Sequence, residues 1–288
     1  MKNRIKTVSI VANPDNINMK AVLQELLEAL NRYHVDILFE KRAAEVLGHG
    51  WHTSETDIRE KSDFMIVLGG DGTVLSAARL LGSSEVPILG VHMGKLGFIT
   101  EINPVDVRDA LSAVMEHRMP THRRMRIQCE IIRNGETVFK ANALNDITIN
   151  KGGLARMVEF DVFSGHNRVG SYRADGFIVS TPTGSTGYAL SAGGAIVDPS
   201  MQLMLLCPIC AHSMTSRELI VPHSTIIRIE LTHPRQDIYV SQDGQVGKNL
   251  LMGDSLVIKR TDFDTIIYYK PERNFYDYLR SKFGWESN

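Results

Sequence analysis

The first hundred residues alternate apolar runs of strand length with stretches of helical spacing. No other feature of the chain limits its fold as tightly. Lys6–Ala12 reads as a buried strand. Met19, Val22, Leu23, Leu26, Leu27 and Leu30 then recur on one helical face. Val35–Phe39 and Phe64–Leu68 read as a second and third strand, Val74–Leu81 as a helix, and Pro87–Val91 as a fourth strand. Strands separated by helices can return in the same direction, because the helix supplies the long crossover that parallel pairing needs. The expectation is an α/β domain with a Rossmann-like parallel sheet and helices on its faces.

Near residue 101 the pattern changes. One more helix is expected at Val105–Glu116, and short β-type runs follow it. These are Met125–Arg133, Thr137–Leu144, Asp146–Ile149, Met157–Phe163, Phe177–Ser180, Thr225–Leu231, Tyr239–Ser241 and Ser255–Arg260. Asn134-Gly135, Asp243-Gly244 and Gly253-Asp254 punctuate them as turns. This part reads as an all-β, sandwich-like domain. The tail, Asn274–Lys282, has a helical pattern and is assigned back to the first domain. The expected division is therefore residues 1–100 with 270–288, and residues 101–269. No internal repeat or low-complexity segment interrupts it.

Composition narrows the classes of function. The chain has 288 residues, 43% hydrophobic and 23% charged, enough to bury a large core without staples. Its net charge of −1 gives no basic field to draw in nucleic acid. Three cysteines are too few for a disulfide framework and favour a reducing compartment. The apolar run Val8–Ala12 is too short for a signal peptide's core. No apolar run approaches the roughly 20 residues that span a bilayer. A cytoplasmic location with no membrane partner is the expectation.

Gly69-Gly70-Asp71-Gly72-Thr73 stands at the end of a strand and at the start of a helix. Ligands of open α/β sheets bind at the carboxyl ends of strands. Glycines allow close backbone approach to a phosphate, and the helix adds the positive end of its dipole. A carboxylate in such a loop repels phosphate, so Asp71 makes sense if it takes a proton from a hydroxyl or helps hold a metal. The pentapeptide also fits a tight turn with Asp71 as helix cap. Ser180-Thr181-Pro182-Thr183-Gly184-Ser185-Thr186-Gly187-Tyr188 offers five Ser and Thr hydroxyls and no charge. It can wrap a polar ligand while Tyr188 stacks on a base, or it can be an ordinary polar loop. Asn145-Asp146 suits a ribose, since a carboxylate can accept from both hydroxyls of a cis-diol; it is also an ordinary turn pair. Arg173-Ala174-Asp175-Gly176 also reads as a surface ion pair.

Taken together, these stretches resemble the NAD kinase family. The resemblance runs over roughly residues 5 to 275. It includes Gly94-Lys95-Leu96-Gly97-Phe98, Leu190-Ser191-Ala192-Gly193-Gly194 and Ser241-Gln242-Asp243-Gly244-Gln245. GGDGT alone is shared with lipid kinases and phosphofructokinases, whereas the TPTGST stretch in this order is highly specific. The resemblance implies transfer of the ATP γ-phosphate to the 2′-hydroxyl of NAD's adenosine ribose, with NAD in a cleft between the domains. It implies Mg²⁺ or another divalent cation with ATP, and a homodimer or homotetramer. Asp71 matches the proposed base, beside Gly72, within the phosphate loop Gly69, Gly70, Gly72 and Thr73. Asn145 and Asp146 match the ribose pair, and Arg173 and Asp175 match nucleotide contacts. Thr186, Gly187, Tyr188, Ala189, Leu190 and Ser191 match the loop around NAD, with Tyr188 near the adenine. Gln245 matches a further contact, and Arg156 a contact supplied across a subunit interface. Arg173 implies a preference for NAD over NADH, exerted by shaping the pocket or by pairing with a carboxylate such as Asp175. Two positions depart from the family: His92 stands where Asn is usual, and Gly187 where Ala is usual. The other readings are a lipid or sugar-phosphate kinase of the GGDGT superfamily and a catalytically silent NAD(P) sensor.

Three further features carry less. Cys207-Pro208-Ile209-Cys210 with His212 lacks the second ligand pair of a structural zinc site. The basic run His117-Arg118, His122-Arg123-Arg124 and Arg126 has no interleaved aromatics for base stacking and reads as a solvated edge or a subunit contact. Trp285 reads as packing.

Overall fold

The computed structural model describes residues 4–152, 157–233 and 238–285. The chain forms two compact units. One contains the residues up to Arg123 and those from Thr265 onward; the other is Arg124–Asp264.

The first unit is built from β1 (Thr7–Ala12), α1 (Met19–Asn31), β2 (Asp36–Phe39), α2 (Lys41–Leu47), α3 (Glu55–Lys61), β3 (Phe64–Gly69), α4 (Asp71–Leu81), β4 (Ile88–His92) and α5 (Val107–Met115). Its strands lie in the order β2-β1-β3-β4, and each neighbouring pair is parallel. Every residue of β3 is buried, as a central strand covered on both faces requires. The helices α2 and α3 are absent from the sequence reading because seven residues hold too few turns to show a period. Their caps define them instead. The Glu40 side chain accepts from Arg42 N, Gly48 closes α2 in the left-handed region (φ 76°), and Ser54 accepts from Asp57 N. Helix α5 places Val107, Ala110, Leu111 and Val114 in the core beneath β1, β3 and β4. That packing carries the first unit to Arg123, beyond the residue 100 expected from the change of pattern.

In the second unit the strands are β5 (Thr121–Arg133), β6 (Glu136–Ala143), β7 (Asp146–Lys151), β8 (Val158–Ser164), β9 (Asn167–Ala174), β10 (Gly176–Ser180), β11 (Leu203–Ile209), β12 (Leu219–Pro222), β13 (Ile227–Leu231), β14 (Ile238–Gln242), β15 (Val246–Leu250) and β16 (Ser255–Tyr268). A four-residue helix, α6 (Tyr188–Ser191), follows β10. One sheet runs β16-β13-β8-β9 and also carries the β5–β6 hairpin; the other runs β12-β11-β10-β7-β14-β15. Ile127, Phe160, Ile229 and Ile258 of the first meet Ile147, Phe177, Met204 and Val240 of the second in one core. Two antiparallel sheets thus pack face to face, as the alternating runs predict. The sequence reading lacks β9, β11, β12 and β15. β9 mixes polar and apolar residues on both faces, with Val169 and Tyr172 packing on the core, and β11 is a continuous apolar run buried at all seven residues, so neither alternates.

The end of β16 belongs to the first unit, where Ile267 pairs in parallel with Ile88 of β4. After it comes α7 (Phe275–Phe283), started by a capping box between Asn274 and Asp277.

Candidate functional site

In the first unit, β3 delivers Gly69 and Gly70 to the start of α4, whose first residue is Asp71. The Asp71 side chain does not cap its own helix. It reaches the turn at Gly97–Thr100 instead. Asp71 Oδ2 accepts from Phe98 N (2.8 Å). Its Oδ1 accepts from Ile99 N (3.1 Å), Thr100 N (3.1 Å) and Thr100 Oγ1 (3.0 Å). A Cβ at Gly97 would overlap both Asp71 Oδ1 and Thr100 Oγ1, so glycine is required there for contact rather than for torsion. The two glycine turns of the sequence are therefore joined through one carboxylate. A carboxylate offers about two acceptor positions per oxygen. Oδ1 is filled, and Oδ2 keeps capacity for one further donor.

The turn is braced on both sides. Phe98 packs against Phe275 and Phe283 of α7, with the Lys282 ammonium 4.6 Å from its ring centroid. Asn16 Nδ2 donates to Met93 O, and Met93 N donates to Gly69 O. His92 places Nδ1 3.0 Å from Gly94 O, so its ring bonds back onto its own turn.

In the second unit, a cavity of about 280 Å³ lies over one face of the sheet that contains β7. Side chains alternate along a strand, so Ile147 and Ile149 enter the core while Asp146, Thr148 and Asn150 line the cavity with Asn145, Tyr188 and Ser241. Asp146 is only 5% exposed. Thr148 Oγ1 donates to its Oδ1 (2.9 Å). Burial, reinforced by the neighbouring Asp243, pushes the Asp146 carboxyl up to about 6.

Asp243, which the sequence reading treated only as a turn residue, organises this site. It sits in the left-handed region (φ 48°). One oxygen accepts from Leu144 N (3.1 Å), the other from Asn145 N (2.8 Å) and Asp146 N (3.1 Å). Burial raises its carboxyl, and the three N–H groups and the Arg126 guanidinium oppose that rise. Arg126 is 2% exposed and donates to Asn142 O. Arg124 is buried as well. The basic run is therefore no solvated edge at these two positions, because β5 carries them into the second unit. The period-two pattern of β7 could have marked Thr148 and Asn150. Nothing local in the sequence marks Arg126.

The hydroxyls of this loop mostly bond to backbone groups of the loop and of its neighbours Leu144, Asn145 and Val197. Thr181 Oγ1 donates to Leu144 O (2.6 Å) and accepts from Gly184 N (3.1 Å). Ser185 Oγ bridges Val197 O and N, Ser180 Oγ donates to Asn145 O, and Thr186 Oγ1 donates to Thr183 O. Four of the five Ser and Thr hydroxyls expected to wrap a ligand are thus engaged with backbone groups: Ser180 with Asn145, Thr181 with Leu144, Ser185 with Val197 and Thr186 with Thr183. The fifth, Thr183 Oγ1, is buried without a partner, as is Asn145 Oδ1. A Cβ at Gly184 would overlap Asn145 O, which explains the glycine inside the motif. At Gly187 a Cβ would sit 3.2 Å from Gly184 O and 3.3 Å from Asn145 Nδ2, so an alanine there would crowd the loop. Tyr188 is exposed at the cavity rim, Ala189 is in the core, Leu190 is half-buried and Ser191 is exposed.

Arg173 pairs with Glu159 (3.5 Å) and Asp175 with Lys151 (2.8 Å), so the two do not pair with each other. Asp175 follows the end of β9, and its backbone N–H bonds Ile209 O, which points its carboxylate to β7. Gln245 is exposed in the turn after β14. Arg156 lies outside the described residues. Cys207 is buried, with its thiol pushed up to about 12, whereas Cys210 is exposed.

Residues 8–119 match the ATP-NAD kinase N-terminal domain family, and residues 144–268 match the ATP-NAD kinase C-terminal domain family. The chain is 38% identical to the NAD kinase of Geobacter metallireducens over 281 residues, covering 98% of this chain and 99% of that protein. It is 39% identical to the NAD kinase of Magnetococcus marinus over 287 residues, covering 98% and 94%. Its fold is similar to that of yeast NADH kinase complexed with NADH (TM-score 0.92, 26% identity, 100% of this chain and 90% of that one). It is also similar to an NAD kinase from Archaeoglobus fulgidus in complex with ATP (TM-score 0.76, 25% identity, 96% and 97%).

Proposed function

The chain belongs to the NAD kinase family, and from that premise we propose how its residues transfer the ATP γ-phosphate to the 2′-hydroxyl of NAD's adenosine ribose. The observation that carries the reading is the Asn145–Asp146 cavity. Polar side chains line it around a buried carboxylate that, among the described residues, accepts from one threonine hydroxyl, and it therefore suits a ligand that brings hydroxyls. Asp146 and Asn145 hold the adenosine ribose, and Tyr188 lies against the adenine. Arg173, Asp175 and Gln245 are contacts at the margin, with Arg156 from a second subunit of a homo-oligomer.

The first unit supplies the phosphate loop and Asp71. Phosphoryl transfer depends mostly on position and charge neutralisation. Asp71 is fixed through Oδ1 and offers Oδ2 to orient the attacking hydroxyl and receive its proton. The divalent cation enters with ATP as part of the substrate. Among the described residues no three His, Cys, Asp or Glu side chains cluster to hold one unaided, and Mg²⁺ is commonly held by one or two carboxylates plus substrate phosphates. Among the same residues no helix is long and apolar enough to cross a membrane, and the three cysteines are free; a reducing cytoplasm is the proposed location.

The test is incubation of purified protein with NAD, ATP and Mg²⁺ or Mn²⁺, coupled to an NADP-specific dehydrogenase. NADP formation is expected. None above a no-enzyme control with either cation refutes the reading.

A further inference from the structure

We propose that α7 sets the position of Asp71: Tyr278 and Phe283 are positioning residues for phosphoryl transfer, acting through the stretch Phe98–Glu101. The proposal deepens the kinase reading above and rests on it for the role of Asp71. Asp71 and residues 98–100 hold each other, since the carboxylate accepts the N–H groups of Phe98, Ile99 and Thr100. Such mutual bonds fix the two relative to one another. Where the pair stands in the unit must be set by other elements.

One such element is β4. His92 N donates to Ile102 O (2.9 Å), and Ile102 N donates to Gly90 O (3.1 Å). A Cβ at Gly90 would sit 3.2 Å from Ile99 O, so the stretch lies directly against the strand. The other element is α7. Phe275, Tyr278, Lys282 and Phe283 recur on one face of it at helical spacing. All four reach the stretch. The Phe98 ring centroid lies 6.3 Å from that of Phe275, 6.1 Å from that of Phe283 and 4.6 Å from the Lys282 ammonium. Tyr278 Oη donates to Glu101 Oε2 (3.0 Å), which also accepts from Lys270 N (3.3 Å).

The helix therefore grips the stretch at both ends, Phe98 and Glu101, with the donors Ile99 and Thr100 between them. The Tyr278–Glu101 bond is buried, with the two residues 3% and 8% exposed. Burial, and then the charge of Glu101, hold the Tyr278 phenol well above its ordinary value, so the hydroxyl keeps its proton and stays the donor. Trp285 stacks on Phe283 (5.3 Å between centroids) and covers the outer end of the grip. Rate depends more steeply than binding on where an orienting group stands, because a small misplacement of the reacting atoms is felt in the transition state. Loosening α7 should thus show in turnover before it shows in affinity.

Steady-state kinetics and hydrogen exchange of the full chain test this. Tyr278→Phe removes the hydroxyl and keeps the ring. Phe283→Ala removes the ring beside Phe98 at a position already 37% exposed. Each is expected to lower kcat about fivefold or more, with KM for NAD and for ATP within about twofold of wild type. Phe283→Tyr, which keeps the ring, should restore the rate. In an Asp71→Asn background Tyr278→Phe should add less than about twofold, because the group it positions is gone. Amide exchange of the peptide spanning residues 97–102, without nucleotide, should quicken about tenfold or more in both single variants. Unchanged kcat in the folded variants overturns the proposal. So does an equal fall in kcat with and without Asp71, the mark of general loosening. If Tyr278→Phe does not fold, Phe283→Ala and its tyrosine rescue decide. Failure of the kinase reading looks different: wild type forms no NADP, and the exchange of residues 97–102 alone then decides whether α7 holds the stretch.

Discussion

Replacing Asp146 by Asn should stabilise the ligand-free protein and weaken its hold on NAD. Burial raises the Asp146 carboxyl from 3.8 to about 6. At about 1.36 kcal/mol per pH unit, the ionised side chain costs the fold about 3 kcal/mol. The sign follows from the direction of the shift. A raised carboxyl binds its proton more tightly when folded, so its contribution is fully favourable below 3.8 and is lost as pH rises through about 6. Asparagine keeps the shape and the acceptor for Thr148 Oγ1 and does not ionise. Asp146→Asn should therefore melt higher than wild type at pH 7.5, by several degrees at roughly 2–4 °C per kcal/mol. The difference should shrink toward pH 5. Circular dichroism melts without nucleotide at the two pH values read this directly. NAD affinity should fall in the same variant by about 1.5–3 kcal/mol, the range for hydrogen bonds to a charged group. Wild-type affinity should itself weaken as pH drops below about 6, as the acceptor becomes protonated. An Asp146→Asn protein that melts at or below wild type at pH 7.5 would show that no buried-charge penalty exists there.

Asp71→Asn should lower turnover by about 10²-fold or more with little change in NAD affinity, read from steady-state rates and calorimetry; near-normal turnover refutes its role. Thr100→Val removes one of three donors to Asp71 Oδ1 without leaving that oxygen unpaired. Turnover should fall by roughly tenfold while the melting temperature and the KM for NAD hold, and Thr100→Ser should restore the rate; equal loss in the valine and serine variants would mean simple packing. Wild type should prefer NAD to NADH. Since Arg173 pairs with Glu159 at the surface and not with Asp175, the rates of Arg173→Gly with both dinucleotides decide whether that preference passes through Arg173.

The sequence discloses those parts of the fold whose physics is local. β3 is legible because a central parallel strand is apolar throughout, and its end is legible because glycines stop it. α4 begins three residues before its apolar pattern, since Asp71, Gly72 and Thr73 carry no hydrophobic period. β9 escapes because polar and apolar residues mix on both of its sides. Within the site, Asp71 and Asp146 are legible from motif and chemistry. The arrangement that holds them is not. Thr100 is 29 residues from Asp71 and Asp243 is 97 from Asp146. Only the folded chain brings such partners together, and no spacing rule reaches across that distance. The hydroxyl-rich loop misleads in a specific way. Its composition suggests a ligand's needs, but a tight loop buried at Ser180–Ser185 must first satisfy its own backbone groups, and side-chain oxygens do that work.

Two adjacent carboxylates in the second unit serve opposite ends because their surroundings differ. Asp243 receives three backbone N–H groups and faces the Arg126 cation, so its charge is compensated by the protein and its position is fixed. Asp146 lies a hydrogen bond away on the same backbone and receives one hydroxyl, and its carboxyl rises to about 6. The protein thus leaves unmade the hydrogen bonds that would stabilise ionised Asp146. A vicinal diol supplies two donors of the kind that is missing. Binding such a ligand should draw the carboxyl back down and release a proton near pH 5–6, where the free site is still partly protonated. The same deficit that makes the empty site costly gives the ribose its purchase.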